Sequence, residues 1–133
     1  MNEPRLLLEG LLQQFREANL RVSGRCLEPR IFEGERVRLR STERCPPRFG
    51  DVVLTFQPQG LRLHRLVWAI GDRVRTQADR GALDPALDRR DILATAVGVE
   101  DRPRPRDRAR ALHSLLLSVA RATLSRLPAA LSP

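Results

Sequence analysis

"LRLHRLVWAI" (Leu61–Ile70) alternates along its first seven residues: Leu61, Leu63, Arg65 and Val67 fall on one side, and Arg62, His64 and Leu66 on the other. A repeat of two residues is that of a half-buried β-strand, whose successive side chains point to opposite faces. His64 therefore leaves the sheet on the face opposite its two leucine neighbours. "RVRLR" (36–40) repeats the pattern, with Val37 and Leu39 opposed to three arginines. Three further short apolar runs, "DVVLTF" (51–56), "RVRTQ" (73–77) and "ILATAVGV" (92–99), read as strands bounded by Gly, Pro and Asp. The links "FEGE", "CPPRFGD", "QPQG" and "IGD" are too short to hold crossover helices. Residues 21–100 are thus expected to form a mainly β domain, a compact and partly closed antiparallel sheet.

The flanks have a different period. Leu6, Leu7, Leu8, Leu11, Leu12 and Phe15 recur at three- and four-residue spacing, which predicts an amphipathic helix within residues 1–20, from Pro4 to about Asn19. "EDRPRPRDRAR" (100–110) reads as a charged linker stiffened by proline, marking a boundary over residues 101–110. Beyond it Leu112, Leu115, Leu116, Val119, Thr123, Leu124 and Leu127 line one face of a second amphipathic helix, residues 111–127, stopped by Pro128. That helix has three possible uses: packing on the domain, lying on an anionic membrane surface, or binding a partner.

The chain has 133 residues, 41% of them hydrophobic, enough for one folded domain. Its formal charge is +8, and every one of its 24 Lys/Arg positions is arginine. Without lysine there is no phosphate-loop lysine, no Schiff base and no lysine general base. Tyrosine is absent as well, so proton transfer near neutral pH falls to His64, His113, a cysteine or a carboxylate. The arginines alternate with acids and apolar residues and aromatics make up only 4%, so nucleic acid is not an expected partner. No run approaches the length of a membrane-spanning helix and no export signal is evident, which points to the cytoplasm, with the periphery of the inner membrane as a second location. The same reasoning disfavours a disulfide between Cys26 and Cys45. Cys26, Cys45, His64 and His113 include no closely spaced ligand pair, so neither a metal nor a cofactor is expected.

The chemistry centres on "VSGRCLEPRI" (Val22–Ile31). Gly24 lets the backbone turn sharply ahead of Cys26, which can present the thiol and aim amide hydrogens at a developing oxyanion. A thiol becomes a nucleophile when a base takes its proton, and His64, aimed from a strand, is the available base. Cys45, in a proline-rich loop, reads as structural.

"VSGRCLEPRIFEGERVRLR" (22–40) resembles the nucleophile box of the signal peptidase I and SOS-repressor superfamily of serine peptidases, roughly V-x-G-x-S-M-x-P followed by G-D-x-V. Val22, Gly24, Leu27, Pro29, Gly34 and Val37 fall on matching places, and Cys26 stands at the nucleophilic serine. "RFGDVVLTF" is similar to a following strand of the family, "LRLHRLVWAIGD" to its base box, and "RTQADRGALDPALDRRDILATAVGV" to its late box, T-x-G-D-x-N with a further Asp and a closing strand. The resemblance covers about residues 22–99 in order. It implies a signal-peptidase-like β fold, a substrate bound extended as an added strand, and small residues just before the cut. It also implies the histidine-type base of the archaeal and endoplasmic-reticulum enzymes, placing His64 as base and Asp79 or Asp84, with Asp88 third, as the residue orienting its imidazole. The sequence departs from the pattern at Cys26 for serine, Leu27 for methionine, Glu35 for aspartate, and Ala78 and Gly81 for the glycine and asparagine around Asp79. Two functions are compatible with this: a small cysteine endopeptidase that cleaves a protein or peptide precursor with Cys26, His64 and an aspartate, with the Cys26 amide in the oxyanion hole; or an inactive module that holds an extended peptide in the same groove.

Overall fold

A computed structural model of the chain describes residues 3–15 and 17–125; Leu127 and Pro128 of the expected second helix, and the side chains of Pro4, Leu8, Phe15 and Leu124, lie outside the described residues. The elements in chain order are α1 (Glu3–Phe15), β1 (Glu17–Arg21), β2 (Arg36–Ser41), β3 (Val52–Gln57), β4 (Gly60–Ile70), β5 (Arg73–Gln77), β6 (Leu87–Asp88), a 3-10 turn (Arg89–Asp91), β7 (Ile92–Val99) and α2 (Arg108–Ser125). All seven strands form one sheet in the order β1-β2-β7-β3-β4-β5-β6, every pair antiparallel. Register shifts at Arg38/Leu39, Leu54/Thr55 and Leu66/Trp68 bend the strands, and the sheet curls into a half-barrel.

The curl separates two apolar clusters. Leu12, Val22, Leu27, Ile31, Val37, Leu39, Val52, Leu54, Ala94, Ala96 and Val99 pack together on one face; Val53, Leu66, Val74, Leu87 and Ile92 pack on the other. Strand β4 faces both ways as its alternation requires. Arg65 stands opposite Val52 of the first cluster, and His64 opposite Val53 of the second. All five strands read from the sequence are present. Strand β1 falls instead on residues expected to end the first helix: α1 stops at Phe15, and Glu17–Arg21 runs antiparallel to β2, with Leu20 opposite Val37 and Glu17 Oε1 accepting from Arg40 Nε at 2.7 Å. Pairing with an adjacent strand outweighs the weak β-propensity of "EANLR".

Both helices turn less of their leucine face to the core than the spacing implies. In α1 Leu12 is buried while Leu6, Leu7 and Leu11 are exposed. In α2 it is Ala111 and Ser114 that are buried, and Leu112, Leu116 and Val119 that face outward.

The charged stretch 101–110 is no free linker. Asp51 is fully buried and accepts hydrogen bonds from Arg104 Nε (3.0 Å) and Nη2 (2.6 Å), from Arg106 Nε (2.9 Å) and from the Arg48 N–H (2.8 Å). A buried carboxylate must be paired, and two linker arginines do it, binding the stretch to the start of β3. The Asp107 N–H donates to the Gly50 carbonyl at 3.0 Å, drawing α2 onto the sheet. Gly50 has φ +92°, and a Cβ there would lie 2.9 Å from the Arg108 backbone nitrogen, so both the dihedral and the close approach require glycine.

Candidate active site

The turn before β2 is built to hold Cys26 out and its neighbours in. Gly24 adopts φ +88°, Leu27 is 1% exposed and Ile31 fully buried, and the Leu27 carbonyl accepts from the Arg30 and Ile31 N–H groups at 2.9 and 3.0 Å. The turn is closed by Gly34 N–H donating to the Val22 carbonyl (2.8 Å) and Val22 N–H donating to Glu35 (2.9 Å). Leu27→Ala is expected to cost about 2–5 kcal/mol, the usual range for a buried leucine, and to loosen this anchor. Cys26 itself is exposed and Cys45 buried, and both are free thiols. The Cys26 carbonyl accepts from the Arg80 N–H at 3.1 Å. Its own N–H has no acceptor among the described residues.

His64 is 7% exposed, and its Nδ1 lies 2.6 Å from Asp84 Oδ2. Thr76 Oγ1, fully buried, donates to the same oxygen at 2.7 Å, and the Asp84 N–H donates to the Thr76 carbonyl at 2.9 Å. Burial pushes the Asp84 carboxyl up, but hydrogen bonds from His64, Thr76 and Gln57 and the attraction of His64 together hold it below its ordinary range. An ionised carboxylate can only accept, so Nδ1 carries the proton in this contact and Nε2 is left as the basic nitrogen.

Asp79, the other favoured candidate, is elsewhere. Arg65 Nε and Nη2 donate to its two carboxylate oxygens at 2.8 and 2.9 Å, with both side chains buried. Arg65 Nη1 completes the set on the carbonyls of Gly50 (2.8 Å) and Pro105 (2.9 Å). Asp88 accepts from the Arg90 N–H at 3.0 Å at the start of the 3-10 turn. The structure therefore brings Asp84, and neither Asp79 nor Asp88, to His64.

One loop between β5 and β6 organises all of this. It sends Asp79 to Arg65, Asp84 to His64 and the Arg80 N–H to the Cys26 carbonyl. Thr76, Arg65 and Arg80 are not among the site residues expected from the sequence, although Thr76 stands at the threonine of the stretch that resembles the late box and Arg65 follows the base. The signal for Arg65 is the alternation itself, which sets it on the apolar face with Leu61, Leu63 and Val67, where an arginine needs its own acid.

Cys26 and His64 line one groove of about 430 Å³ with Leu20, Arg21, Val22, Ser23, Leu27, Leu54, Leu61, Arg62 and Leu63. No hydrogen bond joins the thiol to the imidazole among the described residues. Along Gly60–His64, β4 pairs with β3 on one side only, since β5 engages it from Arg65 onward. Strand β1, at the edge of the sheet, supplies the opposite bank. The groove thus has an apolar lining, two arginines, no carboxylate and a strand with one unpaired edge. No group of three or more metal-ligating side chains occurs among the described residues, and no described helix is long and apolar enough to cross a membrane. No protein-family model matches the chain, and no curated protein matches it.

Proposed function

We propose that the chain is a small cysteine endopeptidase of signal-peptidase-like fold that cleaves a protein or peptide precursor bound as an extended strand. The observation that carries this reading is the shared groove: the exposed Cys26 thiol and His64, its Nδ1 held by Asp84 at 2.6 Å, line the same cleft. In the proposed reaction a peptide adds to the unpaired edge of β4, its backbone meeting Leu61–His64 as a further strand. Cys26 Sγ attacks the scissile carbonyl carbon while its proton passes to His64 Nε2. The carbonyl oxygen becomes an oxyanion facing the Cys26 N–H. The C–N bond then breaks, the amine leaves with the proton from Nε2, and a thioester remains on Cys26. Water adds to the thioester, giving its proton to Nε2, and the acid is released as the sulfur is reprotonated. Asp84 keeps the imidazole in the tautomer this needs and stabilises the imidazolium between steps, as the carboxylate of a serine-histidine-aspartate triad does.

The second reading, a peptide-binding module that does not cut, is favoured by the missing hydrogen bond between thiol and imidazole. Catalytic hydrogen bonds commonly tighten only with substrate in place, which keeps the enzyme reading in front. Incubation with a complex peptide library, followed by mass spectrometry of new termini, separates the two. The enzyme yields cuts after small residues that vanish in Cys26→Ala. Identical termini from wild type and Cys26→Ala, with peptide still bound, would establish the binding module.

A further inference from the structure

Helix α2 meets the loop between β5 and β6 around a cavity of about 430 Å³, and the charge in its lining is almost all of one sign. Arg110, Ser114, Leu117 and Arg121 come from α2 at four-, three- and four-residue spacing, so they share one face of the helix, across from Leu112, Leu116 and Val119. The loop contributes Arg80. Among the described residues Asp79 is the one acid in the lining, and Arg65 takes both of its carboxylate oxygens, at 2.8 and 2.9 Å. What Asp79 offers α2 is its carbonyl, which accepts from Arg110 Nη2 at 2.6 Å.

The neutral Gln77 side chain is satisfied at both ends: Nε2 donates to the Gly81 carbonyl at 2.8 Å, and Oε1 accepts from Ser118 Oγ at 3.2 Å. The cations are not. Arg110 Nε is buried and has no acceptor among the described residues. Arg121 is exposed and has no carboxylate partner among them. Arg80 Nη1 lies 3.4 Å from Glu28 Oε2, but Arg25 Nε already binds that oxygen at 2.9 Å. Three guanidinium groups around one cavity repel one another, and a buried N–H without an acceptor is destabilising. An anion seated among them offsets the repulsion and brings acceptors to guanidinium groups that the fold leaves unmatched. The volume lies in the range of small-molecule sites, roughly 300–1,000 Å³. Arg110 and Arg121 stand three helical turns apart, so they reach a ligand from opposite ends.

We propose that this cavity binds a small molecule carrying more than one oxyanion charge, a phosphate ester or a polycarboxylate. It shares no lining residue with the Cys26 groove, so the site stands whether or not Cys26 is catalytic. The test is isothermal titration of the full chain with sodium pyrophosphate and, separately, sodium citrate, at constant ionic strength, followed by amide chemical-shift mapping with the tighter of the two. One equivalent binds, and the tighter probe tells the phosphate class from the carboxylate class. Arg121→Gln, an exposed change that leaves the melting temperature in place, weakens binding about fivefold or more. Arg73→Gln removes an exposed arginine outside the cavity and changes binding by less than about twofold. The shifts gather at Gly81, Ala82 and Ser114. Absence of saturable binding of either probe overturns the proposal, as do equal losses in Arg121→Gln and Arg73→Gln, which would mean that net charge alone attracts the anion. Shifts gathered instead at Leu61–His64 overturn it too, giving the anion to the arginines of the groove.

Discussion

Asp79 and Asp84 stand on the same short loop, and from the sequence they are equal candidates to serve His64. Three-dimensionally they belong to opposite sides of one strand. Asp79 is sealed against Arg65 with its side chain fully buried, whereas the Asp84 side chain keeps 17% of its exposure beside the groove. Each acid meets the nitrogen group that β4 sends to its face, because Arg65 and His64 are adjacent and adjacent strand residues diverge. One carboxylate is therefore structural in this account and the other chemical, and substitutions should separate them.

Asp84→Asn is expected to have the largest effect on turnover. An amide at that place favours the wrong imidazole tautomer, and loss of about 10³–10⁴-fold in kcat is expected, measured on any peptide the library identifies. Its fold should survive. The lowered Asp84 carboxyl contributes stability that is fully present above its ordinary value of 3.8 and is lost as pH falls through the folded value. The stability gap between wild type and Asp84→Asn in urea titrations should accordingly shrink on acidification. Asp79→Asn should do the opposite at neutral pH, costing about 3–5 kcal/mol of stability by leaving Arg65 buried without its counter-charge. Replacing Arg65 and Asp79 together by apolar residues of similar volume should recover much of that loss, since both charges are then removed.

Thr76→Val tests a smaller difference. The hydroxyl holds Asp84 alone, so its loss should cost about 1 kcal/mol in stability and shift the acid limb of the pH–rate profile upward, toward ordinary carboxylate behaviour. A merely structural threonine would leave that profile in place. Smallest of all is Arg62→Gln on the groove wall. Peptides with an acidic residue two or three positions from the cut should lose a few-fold in KM and nothing in kcat, because an exposed pair contributes at most about 1 kcal/mol.

The strands were legible because alternation and turn residues agree over 36–40, 51–56, 61–70, 73–77 and 92–99. Strand β1 was not, since "EANLR" continues the spacing of the leucines before it and only its pairing with β2 makes it extended. The arginine-rich stretch 101–110 looked like a linker because its charges read as solvated; the buried Asp51 that draws in Arg104 and Arg106 lies far away in sequence. In the candidate site, Cys26 and His64 stand out by residue type and by resemblance. The choice between Asp79 and Asp84 required knowing that Arg65 is buried and claims one of them. That competition is invisible in spacing, although the alternation of β4 contained half of it.

The most direct test of a His64-activated thiol is the rate of Cys26 alkylation by iodoacetamide as a function of pH, in wild type and in His64→Ala. Preference for Cys26 over Cys45 follows from exposure alone and decides nothing. The account predicts that Cys26 in wild type is alkylated faster than in His64→Ala across the neutral range, because His64 takes the thiol proton as the sulfur attacks. Superimposable rate–pH curves for the two proteins would contradict it.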